Sequence, residues 1–151
     1  MQLNHLLSLL VATGDTFAAT ALRWALGLMI LPHGLQKTLG WFGGYGFKAS
    51  LGYLTGPAVG APWIFALLAI LAESVGGVML LAGFGTRVAA LGLGGVMVVA
   101  ALQHRANGFF MNWTGQQKGE GFEFHLLALG IVVALLWLGG GRFSIDALLR
   151  P

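Results

Sequence analysis

Four apolar stretches, each nearly as long as a bilayer-spanning helix, occupy most of this chain and leave few alternatives for its fold. They cover about residues 17–39, 62–83, 86–103 and 122–138. A helix needs roughly 20 mainly apolar residues to cross a bilayer. Charged residues make up only 9% of the chain, whereas a soluble domain typically carries about 25%. The sequence therefore predicts an all-α integral membrane protein, an antiparallel four-helix bundle forming a single transmembrane domain over residues 1–151.

Glycine and proline mark the breaks between these stretches. Residues 40–61 are glycine-rich and contain Gly56-Pro57, residues 82–86 predict a tight turn, and residues 107–121 predict a polar loop. Residues 1–12 are apolar but too short to span a bilayer, so we expect a short interfacial helix there.

Charge and cysteine content exclude several classes of function. The formal net charge of +3 comes from scattered side chains with no basic run, so we expect no nucleic-acid partner. There is no cysteine, which excludes disulfides and cysteine-ligated iron–sulfur clusters within the chain. No flavin or haem motif is evident. No helix carries a His/Glu pair at metal-ligand spacing, so no metal site is predicted. Two alternatives stay open: a metal site formed by His33, Glu73, His104 and Glu123 from separate helices, and a haem held by His33 and His104.

Six ionisable side chains inside or at the ends of the apolar stretches are the candidate ligand-binding or proton-relay residues. An ionisable group within a spanning segment costs roughly 2.5–3.5 kcal/mol on insertion scales, which makes it a functional candidate by default. In an antiparallel bundle all but the first should lie toward the end that carries the 40–61 and 107–121 loops. The candidates are Arg23, His33, Lys37, Glu73, His104 and Glu123.

Each candidate also has a purely structural interpretation. Glu73 needs a partner at mid-membrane depth, and a pair with Arg23 or Lys37 that only locks the bundle is the alternative to a functional carboxylate. Lys37 is equally suited to extend toward lipid headgroups, and His33 to bond a backbone carbonyl freed by the preceding proline. Glu123 and His125 lie roughly 160° apart on a helix, so we expect only one of them to face inward. Glu123 is favoured, because Leu127, Gly130 and Ala134 continue its face.

The basic residues do not decide the orientation in the membrane. Arg23, Arg87, Arg142 and Arg150 fall toward the side of the two termini, and Lys37, Lys48, Arg105 and Lys118 toward the other. Because each side has four basic residues, the positive-inside rule does not predict which side faces the cytoplasm.

The order of short motifs resembles the DoxX family of small bacterial four-helix membrane proteins. In the first stretch these are Arg23 and Leu-Pro-His-Gly-Leu-Gln-Lys at 31–37, and in the second Glu-Ser-Val-Gly-Gly at 73–77. Leu-Leu-Ala-Gly-Phe-Gly-Thr-Arg-Val-Ala-Ala follows at 80–90, with Phe-Phe-Met-Asn-Trp at 109–113 and Gly-Phe-Glu-Phe at 121–124. The tail at 139–146 has Gly140 where the family usually has proline.

This resemblance implies a function in membrane redox chemistry, since the family includes a subunit of a thiosulfate:quinone oxidoreductase and membrane partners of redox and detoxifying enzymes. It also implies a multi-pass protein of the bacterial inner membrane with both termini cytoplasmic. The leading hypothesis is an oxidoreductase subunit that binds a quinone in the polar end of the bundle and depends on a protein partner carrying a redox centre. A non-catalytic membrane scaffold or assembly partner, and a small-solute or ion pathway, are the two alternatives.

Overall fold

The structure is a computed structural model that describes residues 11–150, and within that range it is all-helical. It has six α-helices and a short 3-10 turn at Arg105–Asn107. The helices are α1 Phe17–Thr38, α2 Gly46–Thr55, α3 Trp63–Ala82, α4 Thr86–His104, α5 Glu123–Leu138 and α6 Ile145–Leu148. The expected all-α class is confirmed over this range. The interfacial helix expected at residues 1–12 falls almost wholly outside the described residues.

Helices α2 and α6 were not predicted, so the described chain has more helices than the four expected. Glycines dominate residues 40–46 and end α1, but the only glycine between residues 47 and 55 is Gly52. Ten residues are enough for a stable packed helix and too few to be recognised as a membrane span. The segment from 40 to 61 is therefore a break followed by a short helix, rather than a continuous glycine-rich connection.

Two described helical segments are long and apolar enough to cross a membrane, Trp63–Ala82 and Thr86–Asn107. Helix α5 is equally apolar but has 16 residues, and at 1.5 Å per residue it rises about 24 Å, somewhat less than a hydrocarbon core of roughly 30 Å. Helix α1 has 22 residues but its polar side chains lower its hydropathy. Of the four predicted spanning stretches, two therefore form helices whose length and composition suffice to cross a membrane.

The four long helices pack in a closed order, with α1 against α3, α3 against α4, α4 against α5, and α5 against α1. Their inward faces form one apolar core, whose fully buried members include Leu26, Ile30, Leu80, Ala90, Leu93 and Leu135. Left-handed glycines mark the connections: Gly83 (φ 68°) ends α3, and Gly85 (φ 57°) precedes α4. This two-glycine turn makes α3 and α4 antiparallel neighbours, as the sequence predicted.

Candidate functional site

Helices α1 and α3 approach each other closely enough to bring their polar side chains together. A Cβ atom on Gly34 would lie 2.5 Å from the backbone nitrogen of Ser74, and a Cβ on Gly77 would lie 3.1 Å from Leu31. Glycine at both contacts removes the side chains that would hold the two backbones apart. Lys37 lies one turn beyond Gly34, so the same contact sets it against the residue before Ser74.

The result is an ion pair between Lys37 and Glu73. The Lys37 ammonium donates to Oε2 of the Glu73 carboxylate, and the side chains are 29% and 8% exposed respectively. The partner expected for Glu73 is therefore present, and it is Lys37 rather than Arg23. Because the lysine is partly exposed and the carboxylate is not, the pair has one side that a ligand can reach.

An open cavity of about 500 Å³ adjoins this pair between the end of α1 and helix α2. Its walls are mainly apolar, and its polar groups come from the side chains of Lys37, Gln36, Ser50, Tyr45 and Tyr53. The remaining lining residues are Gly43, Gly44, Ala49 and Leu54. A mostly apolar cavity with a few convergent polar groups is the usual form of a small-molecule site.

Glycine also fixes the wall formed by the 40–46 turn. A Cβ on Gly44 would lie 2.3 Å from the carbonyl oxygen of Gln36, so this turn rests directly on the backbone of α1. The Gln36 side-chain amide then donates to the carbonyl of Phe42 at 3.1 Å. The position of Tyr45 at the cavity depends on this contact.

A second polar cluster lies where α4 ends and α5 begins. The imidazoles of His104 and His125 are nearly parallel, with ring centroids 5.3 Å apart and an interplanar angle of 21°. His125 is buried and packs against the edge of Phe124. The expectation that Glu123 rather than His125 faces inward was wrong. The buried face of α5 runs through His125, Ala128, Val132 and Leu135, because α5 packs against α4 through that face.

Glu123 instead fixes the polar loop that precedes it. Its Oε1 accepts from the backbone N–H of Met111 at 2.9 Å and from the indole N–H of Trp113 at 3.0 Å. Glu120 accepts from the N–H of Asn112 at 2.9 Å in the same loop. The carboxylates therefore order residues 109–120, and the indole ring of Trp113 is left largely exposed.

Arg23 belongs to a separate cluster at the opposite end of the helices. Its guanidinium donates to the carbonyl oxygens of Leu80 at 2.8 Å, Leu81 at 2.6 Å and Gly140 at 2.7 Å, and also to that of Phe143. These bonds satisfy the carbonyls at the end of α3 and hold the C-terminal segment in place. The arrangement assigns Arg23 a structural role.

Three polar residues that make tertiary contacts were not among the predicted candidates: Asp146 and His125, which are buried, and Arg87, which is half-buried. Asp146 accepts from the backbone N–H groups of Gly85 at 2.7 Å and Thr86 at 2.9 Å, where a carboxylate stabilises the start of α4. Arg87 donates to the carbonyl of Leu136 at 2.8 Å. The C-terminal family motif that contains Asp146 could have indicated its role. No such motif marked His125, because its inward position depends on how α5 is rotated about its axis.

The six predicted residues are therefore not one site. Lys37 and Glu73 meet, His104 meets a residue that was not predicted, Glu123 binds its own loop, Arg23 lies at the other end, and His33 is exposed. Within residues 11–150, no three histidine, aspartate or glutamate side chains lie close enough to share a metal ion.

Comparison with known proteins identifies the family. A family model described as DoxX matches residues 18–113. No curated protein and no solved structure is significantly similar to the chain. The matched segment is more than half of the chain and contains both Lys37 and Glu73, whereas Glu123 and the C-terminal tail lie beyond it. The chain therefore belongs to the DoxX family.

Proposed function

We propose that this protein is a membrane-embedded subunit of a redox system and binds a quinone in the cavity beside the Lys37–Glu73 pair. One observation carries the proposal: Lys37, which is paired with the buried carboxylate of Glu73, lines an open, mainly apolar cavity of about 500 Å³. That volume falls within the roughly 300–1,000 Å³ typical of ligand sites. Buried ion pairs seldom stabilise a fold more than apolar packing does, which favours a functional reason for this one.

The charges and hydrogen-bond donors of the cavity suit a neutral, planar acceptor. Because Glu73 neutralises Lys37, the cavity offers no net cation to an anionic ligand. The ammonium of Lys37 and the hydroxyls of Tyr45 and Tyr53 can donate to the two carbonyl oxygens of a quinone. Apolar lining surfaces at Ala49 and Leu54 can contact the ring.

Placement in a membrane rests on the outer surfaces of the helices and on the family. Only 33% of the apolar window of α3 is buried within the protein, whereas a core helix of a soluble protein would be mostly covered. Large apolar side chains face outward on every long helix, including Leu28, Val78, Leu91 and Val133. We propose that α1, α3, α4 and α5 form a four-helix bundle that spans the bacterial inner membrane.

The orientation and the electron source belong to the same proposal. We place both termini in the cytoplasm on the basis of the DoxX resemblance. Reporter proteins fused after Arg150 test this orientation. Activity only in reporters that work outside the cytoplasm would contradict it. Quinone reduction needs two electrons as well as two protons. The side chains of the cavity supply hydrogen bonds and protons, so we assign the electrons to a partner protein that carries a redox centre.

Binding of a short-tailed quinone by the purified protein tests the site. Decylubiquinone is titrated into protein stripped of lipid-soluble ligands, and the rise in unfolding temperature is measured. Lys37→Met removes a proposed hydrogen-bond donor, and Ala49→Trp fills the cavity. The matched control is Lys48→Met, which removes a neighbouring exposed lysine that does not line the cavity.

We expect saturable stabilisation in the unsubstituted protein and in Lys48→Met, and its loss in the other two variants. Unchanged binding in Ala49→Trp contradicts the site. If no form of the protein shows saturable binding, quinone binding is contradicted and the alternative of a membrane scaffold is favoured. Selective solute flux through proteoliposomes would instead favour a small-solute or ion pathway.

A further inference from the structure

We infer that the His104–His125 pair is a transition-metal site, which takes Cu²⁺ most tightly and keeps open coordination positions. The pair lies at the junction of α4 and α5 and has no part in the proposed quinone cavity. The family match over residues 18–113 contains His104 but not His125, so it does not assign the pair. The inference rests on the separation of the rings, on an unsatisfied ring nitrogen and on the chemistry of imidazole.

The separation of the rings matches two imidazoles that share one ion. A metal–nitrogen bond of about 2.1 Å places a ring centroid about 3.2 Å from the ion. Two imidazoles that meet an ion then have centroids about 4.5 Å apart at the right angle of tetragonal Cu²⁺ and about 5.2 Å apart at a tetrahedral angle. The observed separation is 5.3 Å with the ring planes nearly parallel, so the two imidazoles are close enough to share one ion once their side chains rotate.

The pair is poorly explained as packing alone. Nδ1 of His125 is buried and makes no hydrogen bond of acceptable geometry, although the Phe122 carbonyl lies near the ring. A buried polar group without a partner costs roughly 1–3 kcal/mol, and phenylalanine would fill the same space without that cost.

The ligand set determines which ion fits. Imidazole binds Zn²⁺, Ni²⁺ and Cu²⁺, and with few protein ligands the affinity follows the Irving–Williams order, in which Cu²⁺ is highest. No third His, Asp or Glu of residues 11–150 joins the pair, so water completes the coordination. Open positions are typical of reactive metal sites and not of structural zinc, which is enclosed by four ligands.

The chain allows a clean test because it has four histidines. His5→Ala/His33→Ala leaves only the pair, and His104→Ala/His125→Ala leaves only the other two. A third variant, His125→Phe, keeps a ring at the buried position and guards against loss of fold. Each full-length protein, purified with a histidine-free tag, is titrated with Cu²⁺ alone, and the electron paramagnetic resonance spectrum is recorded at one equivalent.

We expect the first variant to bind one Cu²⁺ with hyperfine splitting from two nitrogens, as the unsubstituted protein does. We expect His104→Ala/His125→Ala and His125→Phe to lose that signal while keeping their unfolding temperature within a few degrees. The inference is overturned if His125→Phe binds copper as well as the unsubstituted protein does. It is also overturned if the signal is lost only when His5 and His33 are replaced. Quinone binding is measured on the same samples and is expected to be unchanged, so the two proposals fail independently.

Discussion

Lys37 and Glu73 lie 36 residues apart and form an ion pair that joins α1 to α3. The pair is asymmetric, since the carboxylate is nearly enclosed and the ammonium reaches the cavity. Removing one partner should therefore have a different effect on stability from removing the other.

We predict that Lys37→Met destabilises the protein more than Glu73→Gln. Loss of the lysine leaves a buried carboxylate without a partner, whereas loss of the carboxylate leaves an ammonium that can still reach water. The cost of Lys37→Met should not exceed about 3 kcal/mol, the lower end of the range for breaking fully buried pairs. Unfolding in detergent measures it. The double variant should recover part of the loss, and strict additivity would contradict the pairing.

The contact between α1 and α3 predicts opposite effects for two glycine substitutions. Gly34→Ala puts a methyl group 2.5 Å from the backbone of Ser74, so the helices must separate; we expect a loss of roughly 1–3 kcal/mol. Gly130 lies in α5 with nothing within 4 Å of a Cβ, so Gly130→Ala should stabilise by about 0.5–1 kcal/mol. Unfolding measurements on both variants check this. A neutral Gly34→Ala would mean that the helices are not in contact there.

The carbonyls around Arg23 predict that even a conservative substitution is harmful. Lysine keeps the charge but cannot reach carbonyls on both α3 and the C-terminal segment, and each charged hydrogen bond lost costs roughly 1.5–3 kcal/mol. We expect Arg23→Lys to lower the unfolding temperature clearly. Arg142→Lys, at an exposed position, should stay within about 0.5 kcal/mol. Similar effects of the two substitutions would contradict the structural role of Arg23.

The loop bound by Glu123 predicts a change in susceptibility to protease. Glu123→Ala removes the acceptor for the N–H groups of Met111 and Trp113, so the loop should open and trypsin should cut faster after Lys118. Glu123→Gln keeps an acceptor oxygen and should behave like the unsubstituted protein. Gln116→Ala, an exposed substitution in the same loop, is the control. Equal cleavage of Glu123→Ala and Gln116→Ala would contradict the bracing role of Glu123.

The long helices could be read from the sequence because apolar runs and glycine breaks are local signals. Helices α1, α3, α4 and α5 begin and end within one residue of the predicted stretches. The pairing of Glu73 also followed from a local argument, namely the cost of an isolated carboxylate. Helix α2 was missed because a ten-residue helix after a glycine-rich turn has too little periodicity to stand out.

The grouping of polar residues could not be predicted, because it depends on how each helix is rotated about its axis. On α5, facing was inferred from small and apolar residues after Glu123, yet Leu127 and Gly130 are exposed. In a chain that is apolar on all sides, hydrophobicity does not mark the inward face. The same ambiguity hid the contact between His104 and His125.

Photoaffinity labelling tests the central claim, that the cavity beside Lys37 and Glu73 holds the quinone. An azidoquinone is photolysed with the protein in membranes, and tryptic peptides are sequenced after cleavage at Arg23, Lys37, Lys48 and Arg87. We predict label in peptides 24–37, 38–48 and 49–87, at the residues that line the cavity, prevented by excess unlabelled quinone and absent from Ala49→Trp. Label confined to peptides outside 24–87, or label that excess quinone does not prevent, would contradict the account.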